Sequence, residues 1–175
     1  RTPGVWDLPE LPGFGGPLVS EGAVAESQNF FATEMGVQKC WYGVNGATGL
    51  LQAAVIATAK PGSAVLMPRN IHRSVIQACI LGDLKPVLFD LPFLADRGHF
   101  ASADEFWMQK VLDEITKTGH EISAVVLVNP SYQGYSSEIG VLISKLHERG
   151  WPVIVDEAHG AYFAAGLDQL PSSAL

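Results

Sequence analysis

Four short polar clusters hold most of the side chains in this 175-residue sequence that could do chemistry. They are Gly46-Ala47-Thr48, Asn70-Ile71-His72-Arg73-Ser74, Asn129-Pro130-Ser131-Tyr132-Gln133-Gly134 and Asp156-Glu157-Ala158-His159-Gly160. Each follows an apolar run that reads as a strand. Gly46-Ala47-Thr48 also opens a helical pattern, so its free backbone N–H groups and positive dipole end suit a phosphate. It is not G-x-G-x-x-G, and no Gly-Lys-Ser/Thr of a nucleotide phosphate loop occurs anywhere. Asp156 ends an apolar strand, which brings its carboxylate out at the sheet rim, partly dehydrated and in need of a cation or several donors. His72 and His159 stand just past strand ends, whereas His99, His120 and His147 do not and receive no role.

Taken singly, every one of these residues has a plain structural reading. Gly46 and Thr48 can be a turn and a cap, and Asp156 can cap its own turn. His72 and His159 can be satisfied surface or core residues, Tyr132 can pack a turn, and Glu157 can be a hydrogen-bonded or solvated neighbour. Asp-Glu-Ala-His also spells a helicase ATPase motif, but the phosphate-loop lysine that motif requires is missing. Four clusters on one rim of one sheet make the functional reading, because ligands of open α/β sheets lie outside the carboxyl ends of the strands.

The elements that position the clusters follow from periodicity. A Pro/Gly-rich arm covers residues 1–20. A helix is expected from about Gly22 to Met35, with Ala23, Ser27, Phe30 and Phe31 on its buried face, then a short strand over Lys39–Val44. Leu50, Leu51, Ala54, Val55 and Thr58 mark a helix stopped by Pro61-Gly62. Strand Ala64–Met67, a helix carrying Val75, Ile76, Cys79 and Ile80 up to Gly82, and strand Pro86–Phe89 come next. Ser102 and Glu105 form a capping-box signature, opening a helix with Trp107, Met108, Val111, Leu112 and Ile115 on one side. Ala124–Val128 is the unbroken apolar run of a strand buried on both faces. A helix bearing Ile139, Leu142, Ile143 and Leu146 closes at Gly150, and Pro152–Val155 is the last strand. Strand–helix alternation with short connections implies a mainly parallel, doubly covered α/β sheet.

Composition narrows the function classes. With 47% hydrophobic residues the chain can fill one core. Eleven basic against 18 acidic residues leave a net charge of −7, so no basic stripe meets nucleic acid or an anionic membrane. No apolar run approaches a membrane span and no leader-like segment opens the chain. Cys40, in the expected strand, and Cys79, on a helix, read as small core residues of a reducing compartment without metal spacing; the cytoplasm and no metal site are expected. The chain opens on Arg1 and ends at Leu175 after Pro171-Ser172-Ser173, and both ends are expected to be cuts through a longer protein.

Together the clusters resemble the large domain of fold-type-I pyridoxal-phosphate enzymes, and specifically the ornithine/lysine/arginine decarboxylase family. The resemblance runs from about Leu8 to Gly166. It includes Asp7-Leu8-Pro9-Glu10-Leu11-Pro12-Gly13, Glu21-Gly22 through Ala25-Glu26 and Asn45-Gly46-Ala47-Thr48-Gly49. Pro68-Arg69-Asn70-Ile71-His72-Arg73-Ser74 and Val155-Asp156-Glu157-Ala158-His159-Gly160 are its most specific parts.

The resemblance implies pyridoxal 5'-phosphate as cofactor, with Gly46, Ala47 and Thr48 holding its phosphate. It implies His72 stacked on one face of the pyridine ring, Ala158 against the other, Asp156 paired with the ring nitrogen, and His159 and Ser131 near the ring and its substituents. The expected catalytic residues are His72, Asp156 and His159. The expected activity is decarboxylation of arginine, lysine or ornithine to a polyamine precursor, in a homodimer or larger homo-oligomer whose other partner is only the small amino-acid substrate.

Three departures stand out. The family often has Ser or Thr where Ala47 stands. Its Thr-Pro-Gly-His-Lys is here Thr2-Pro3-Gly4-Val5-Trp6. Its Schiff-base lysine lies beyond the Asp-Glu-Ala-His-Gly segment, and none of Lys39, Lys60, Lys85, Lys110, Lys117 or Lys145 matches that position. Residues 21–175 are therefore expected to be a partial cofactor-binding major domain, inactive alone. A fold-type-I aminotransferase, or a non-catalytic truncated copy that binds a partner chain, would share these features.

Overall fold

The β-branched, almost wholly apolar run Ile122–Val128 can satisfy its backbone only between two other strands, and it takes that place. A computed structural model describes residues 11, 13–16 and 20–175. The chain divides into two compact units, the described residues up to Val44 with Leu175, and Asn45–Ala174. The expected arm over residues 1–20 lies mostly outside the described residues.

In the first unit, α1 spans Gly22–Glu34. Its buried side differs from the expected one: Gln28 and Ala32 are buried, while Phe30 is 67% exposed and Phe31, Ser27 and Ala23 are exposed as well. Gln28 accepts a hydrogen bond from the Ser20 hydroxyl, so a polar pair sets the inward face where apolar spacing suggested the phenylalanines. The strand expected over Lys39–Val44 does not form. β propensity reports fit to a half-buried pleated surface, and here Trp41, Tyr42 and Val44 are all exposed and no described strand pairs with them. Cys40 is consequently not on a strand.

The second unit begins with α2 (Gly46–Thr58) and continues through β1 (Ala64–Pro68), α3 (Arg73–Leu81) and β2 (Lys85–Phe89). A short antiparallel hairpin, β3 (Phe93–Leu94) with β4 (His99–Phe100), precedes α4 (Glu105–Thr118). Then come β5 (Ile122–Val128), α5 (Ile139–His147), β6 (Val153–Asp156) and a 3-10 helix, Ala161–Ala165. The four long strands form one wholly parallel sheet in the order β2-β1-β5-β6.

Both faces are covered, as the apolar runs required. Val65, Met67, Ala124 and Val126 meet Leu51 and Val55 of α2 and Val75, Ala78 and Cys79 of α3 on one side. Leu66, Val125 and Leu127 meet Met108, Leu112 and Ile115 of α4 and Ile139, Leu142 and Leu146 of α5 on the other. Leu50 and Ile80, expected on buried faces, are exposed because neighbours one position away point at the sheet. At Ser123 the register slips, with Ala64 opposite Ile122 but Val65 opposite Ala124. That bulge flips the alternation of β5, and the Ser123 hydroxyl satisfies the Ala64 carbonyl at 2.9 Å.

The capping box also gives way. Asp104 caps α4, accepting from the Trp107 N–H at 2.7 Å, while Ser102 donates to the Ser136 carbonyl. A carboxylate two residues nearer the helix is the stronger acceptor and complements the dipole. Among the described residues no helix is long and apolar enough to cross a membrane.

Strand order decides where a ligand can enter. From β1 the chain crosses by α3 to β2 on one side; from β2 it returns by α4 to β5 on the other side of β1. Successive crossovers thus lie on opposite faces, and the loops leaving β1 and β5 diverge at their carboxyl ends. Such a switch point opens a crevice.

Candidate active site

The crevice is a cavity of about 510 Å³, within the range of small-molecule sites. Ala47 and Thr48 reach it from the start of α2, and Asn70, His72 and Arg73 from the loop after β1. Pro130 and Tyr132 come from the loop after β5, and Asp156, Ala158 and His159 from the end of β6, with Leu51, Ile71 and Val128 adding apolar surface. Of the residues singled out in the sequence, Ala47, Thr48, His72, Asp156, Ala158 and His159 therefore share one cavity. Gly46 begins α2 without lining it. Ser131 is buried behind it and lines a separate small cavity, its hydroxyl oxygen accepting from the Tyr135 N–H at 3.2 Å.

Local chemistry places each group. Gly46 has φ 60, a left-handed conformation in which a glycine turns the chain into α2 without strain. Asn45 gives that helix no side-chain cap, and its first turn has no acidic residue, so its amino end stays open to an anion. His72 is the N-cap of α3: its Nδ1 accepts from the Ser74 N–H at 3.2 Å and lies 2.8 Å from the Ser74 hydroxyl. The ring is held by one nitrogen and exposed on the cavity side. Asp156 is 8% exposed; its Oδ1 accepts from the Ala158 N–H at 3.1 Å, and among the described residues it has no ion-pair partner. A carboxylate this dehydrated, with one backbone donor, is suited to a cationic ligand group.

Behind the rim a polar network fixes the loops. Fully buried Asn129, joined to Pro130 by a cis peptide bond, donates from Nδ2 to Glu157 at 3.4 Å and accepts from the Ser137 N–H at 3.0 Å. Glu157 also accepts from the Ala174 N–H and the Ser173 hydroxyl, which makes it a structural tie. The last loop packs so tightly that a Cβ on Gly160 would lie 2.6 Å from Pro130 Cδ. His159 meets Tyr132 edge-to-face, ring centroids 5.5 Å apart. Asn70 Oδ1 is buried with no hydrogen-bond partner among the described residues, an acceptor waiting beside the cavity. Arg73, Asn70 and Tyr132 line the cavity as well, and the sequence signal for them is membership of the same rim clusters.

The profile of the family described as "Orn/Lys/Arg decarboxylase, major domain" matches residues 7–174. The chain belongs to this family. Among curated relatives of this decarboxylase-family chain, the uncharacterized protein YaaO of Bacillus subtilis is 32% identical over 169 residues, covering 97% of the chain and 34% of that protein. An arginine decarboxylase of Bacillus cereus is 28% identical over 155 residues, covering 89% and 33%. The chain thus spans about a third of the length of the curated relatives it matches. The solved constitutive lysine decarboxylase of E. coli superposes with a TM-score of 0.59 over 68% of the chain and 17% of that protein, at 20% identity. That likeness shows the fold, the α/β fold-type-I architecture with its parallel sheet.

Proposed function

We propose that this chain is the cofactor-cradling part of a decarboxylase that releases CO2 from a basic amino acid, with arginine the first candidate, and that its cavity binds pyridoxal 5'-phosphate. The observation that carries the reading is the convergence of His72 and Asp156 on one cavity whose other end is the open amino terminus of α2. The donor set fits the cofactor. An uncapped helix start suits a phosphate, a dehydrated carboxylate without a cation suits a protonated ring nitrogen, and the orphaned Asn70 acceptor suits a ligand donor nearby.

When bound, the cofactor supplies a protonated pyridine ring that takes up the electron pair left on Cα as CO2 departs. Asp156 would hold the proton on the ring nitrogen, since separating the pair in a dry site costs more than keeping both charges. His72, tethered through Nδ1, would present a fixed flat surface to one face of the ring, and Ala158 a small one to the other. Gly46, Ala47 and Thr48 would bind the phosphate through backbone N–H groups and one hydroxyl. His159, steadied by Tyr132, would stand near the ring substituents, and Ser131, which lines the neighbouring cavity and ties the loop after β5, would support that wall from behind.

Residues 21–175 act in this reading as a partial major domain after an arm over 1–20. Among the described residues no lysine lines the cavity, so the Schiff-base lysine is assigned to a further segment of the whole protein. The working form is a cytoplasmic homodimer or larger homo-oligomer. The test is to incubate the full-length protein and cofactor with arginine, lysine and ornithine, measuring CO2, with light scattering for the assembly. CO2 from one of the three is expected. Amino-group transfer without CO2 would make it an aminotransferase instead, and a monomer would remove the assembly claim.

A further inference from the structure

We propose that Arg73 is an anion-binding residue of the cavity, gripping the phosphate of the bound cofactor from α3 while the amino end of α2 holds it from the other side. The proposal rests on the reading of the cavity as a pyridoxal-phosphate site.

The two helices run side by side with their amino ends at the same rim. Gln52 on α2 donates from Nε2 to Gln77 Oε1 on α3 at 3.3 Å. Residues four apart stack on one helix face, so one turn nearer the amino ends the facing pair is Thr48 and Arg73. Both line the cavity. Thr48 and Arg73 therefore reach the cavity from the first turns of adjacent helices.

Charge there is uncompensated. The ion pairs of the described residues use Arg69, Arg97, Lys117 and Lys145; Arg73 enters none of them. Neither α2 nor α3 has an acidic residue in its first turn. In a protein of net charge −7, a cation beside two helix amino ends that pairs with no carboxylate among the described residues, Asp156 of the same cavity included, marks a place for an external anion. Ala47 contributes no hydroxyl there, leaving Thr48 short of side-chain donors. A guanidinium fork supplies two parallel N–H donors matched to phosphate oxygens, a geometry a lysine lacks.

The experiment compares two ligands that differ only by the phosphate, on the full-length protein. Pyridoxal 5'-phosphate and pyridoxal are titrated by absorbance and quenching of protein fluorescence into wild type, Arg73→Gln and Arg73→Lys, at low and high salt. The Gln variant should bind pyridoxal 5'-phosphate about tenfold more weakly. Its affinity for pyridoxal should stay within about twofold, well under the tenfold that marks a lost charged contact. Lys should fall between, and added salt should narrow the gap between wild type and Gln. Equal affinity of wild type and Arg73→Gln for the phosphorylated ligand, or equal loss of both ligands, overturns the role of Arg73 while leaving the cofactor reading intact. Failure of wild type to bind either ligand overturns both.

Discussion

The carboxylate of Asp156 lies almost out of water with a single backbone donor, and residues in that condition are retained by folds at a cost. At an effective dielectric of about 20, an opposite charge ~4 Å away is worth ~4 kcal/mol, equivalent to ~10³ in rate if it acts in the transition state. Asp156→Asn keeps the shape and removes the charge. If the proposed decarboxylation is right, in the full-length protein it should therefore lower kcat by about a thousandfold with the urea unfolding midpoint little changed. Turnover within threefold of wild type would take Asp156 out of the reaction. His72 shows the same economy of parts: the nitrogen that caps α3 also sets the plane of its ring, so cap and candidate cofactor contact are one side chain.

Among the elements of the second unit, the closest approach at a glycine is between the loop after β6 and the loop after β5. A methyl on Gly160 would sit 2.6 Å from Pro130 Cδ and 2.8 Å from the Asn129 carbonyl oxygen, and the Asn129 side chain is tied to Glu157 and Ser137. Gly160→Ala should destabilise the protein by about 1–3 kcal/mol, the usual penalty of overpacking, seen as a lower thermal midpoint. It should also push Ala158 and His159 away from Pro130 and weaken binding of the proposed cofactor. An unchanged midpoint would mean the two loops separate freely. Legibility at this scale was uneven. The runs Ala64–Met67 and Ala124–Val128 announced buried parallel strands because nothing but burial on both faces tolerates them. The Lys39–Val44 run looked similar, but a strand needs a neighbour and no local signal specifies one.

For the whole molecule, the two-sided core couples stability to pH through one thiol. Cys79 is packed between α3 and the sheet, and burial pushes its thiol above the ordinary value. A raised folded pKa contributes stability that is complete below the unfolded value, about 8.5, and is lost as pH rises from there toward the folded one. Urea unfolding should show stability falling above pH ~8.5, and Cys79→Ala should flatten that fall. The same thiol should resist a water-soluble disulfide reagent until the protein unfolds. Identical pH slopes in both proteins would show that burial of Cys79 has no energetic consequence.

By itself the sequence determined the α/β class, most element positions in the second unit, the four polar clusters and the family they resemble. Those follow from local causes: apolar period, glycine and proline punctuation, and short motifs whose residues are neighbours in the chain. Only the tertiary structure decided that β5 lies opposite β2 across β1, that Asp104 caps α4, and that Gln28 turns inward on α1. It also decided that Thr48 and Arg73, on different helices and well separated in the chain, line one cavity. Pairing between distant segments depends on which surfaces bury each other, and that competition is settled by the packed chain as a whole, not by any window of it.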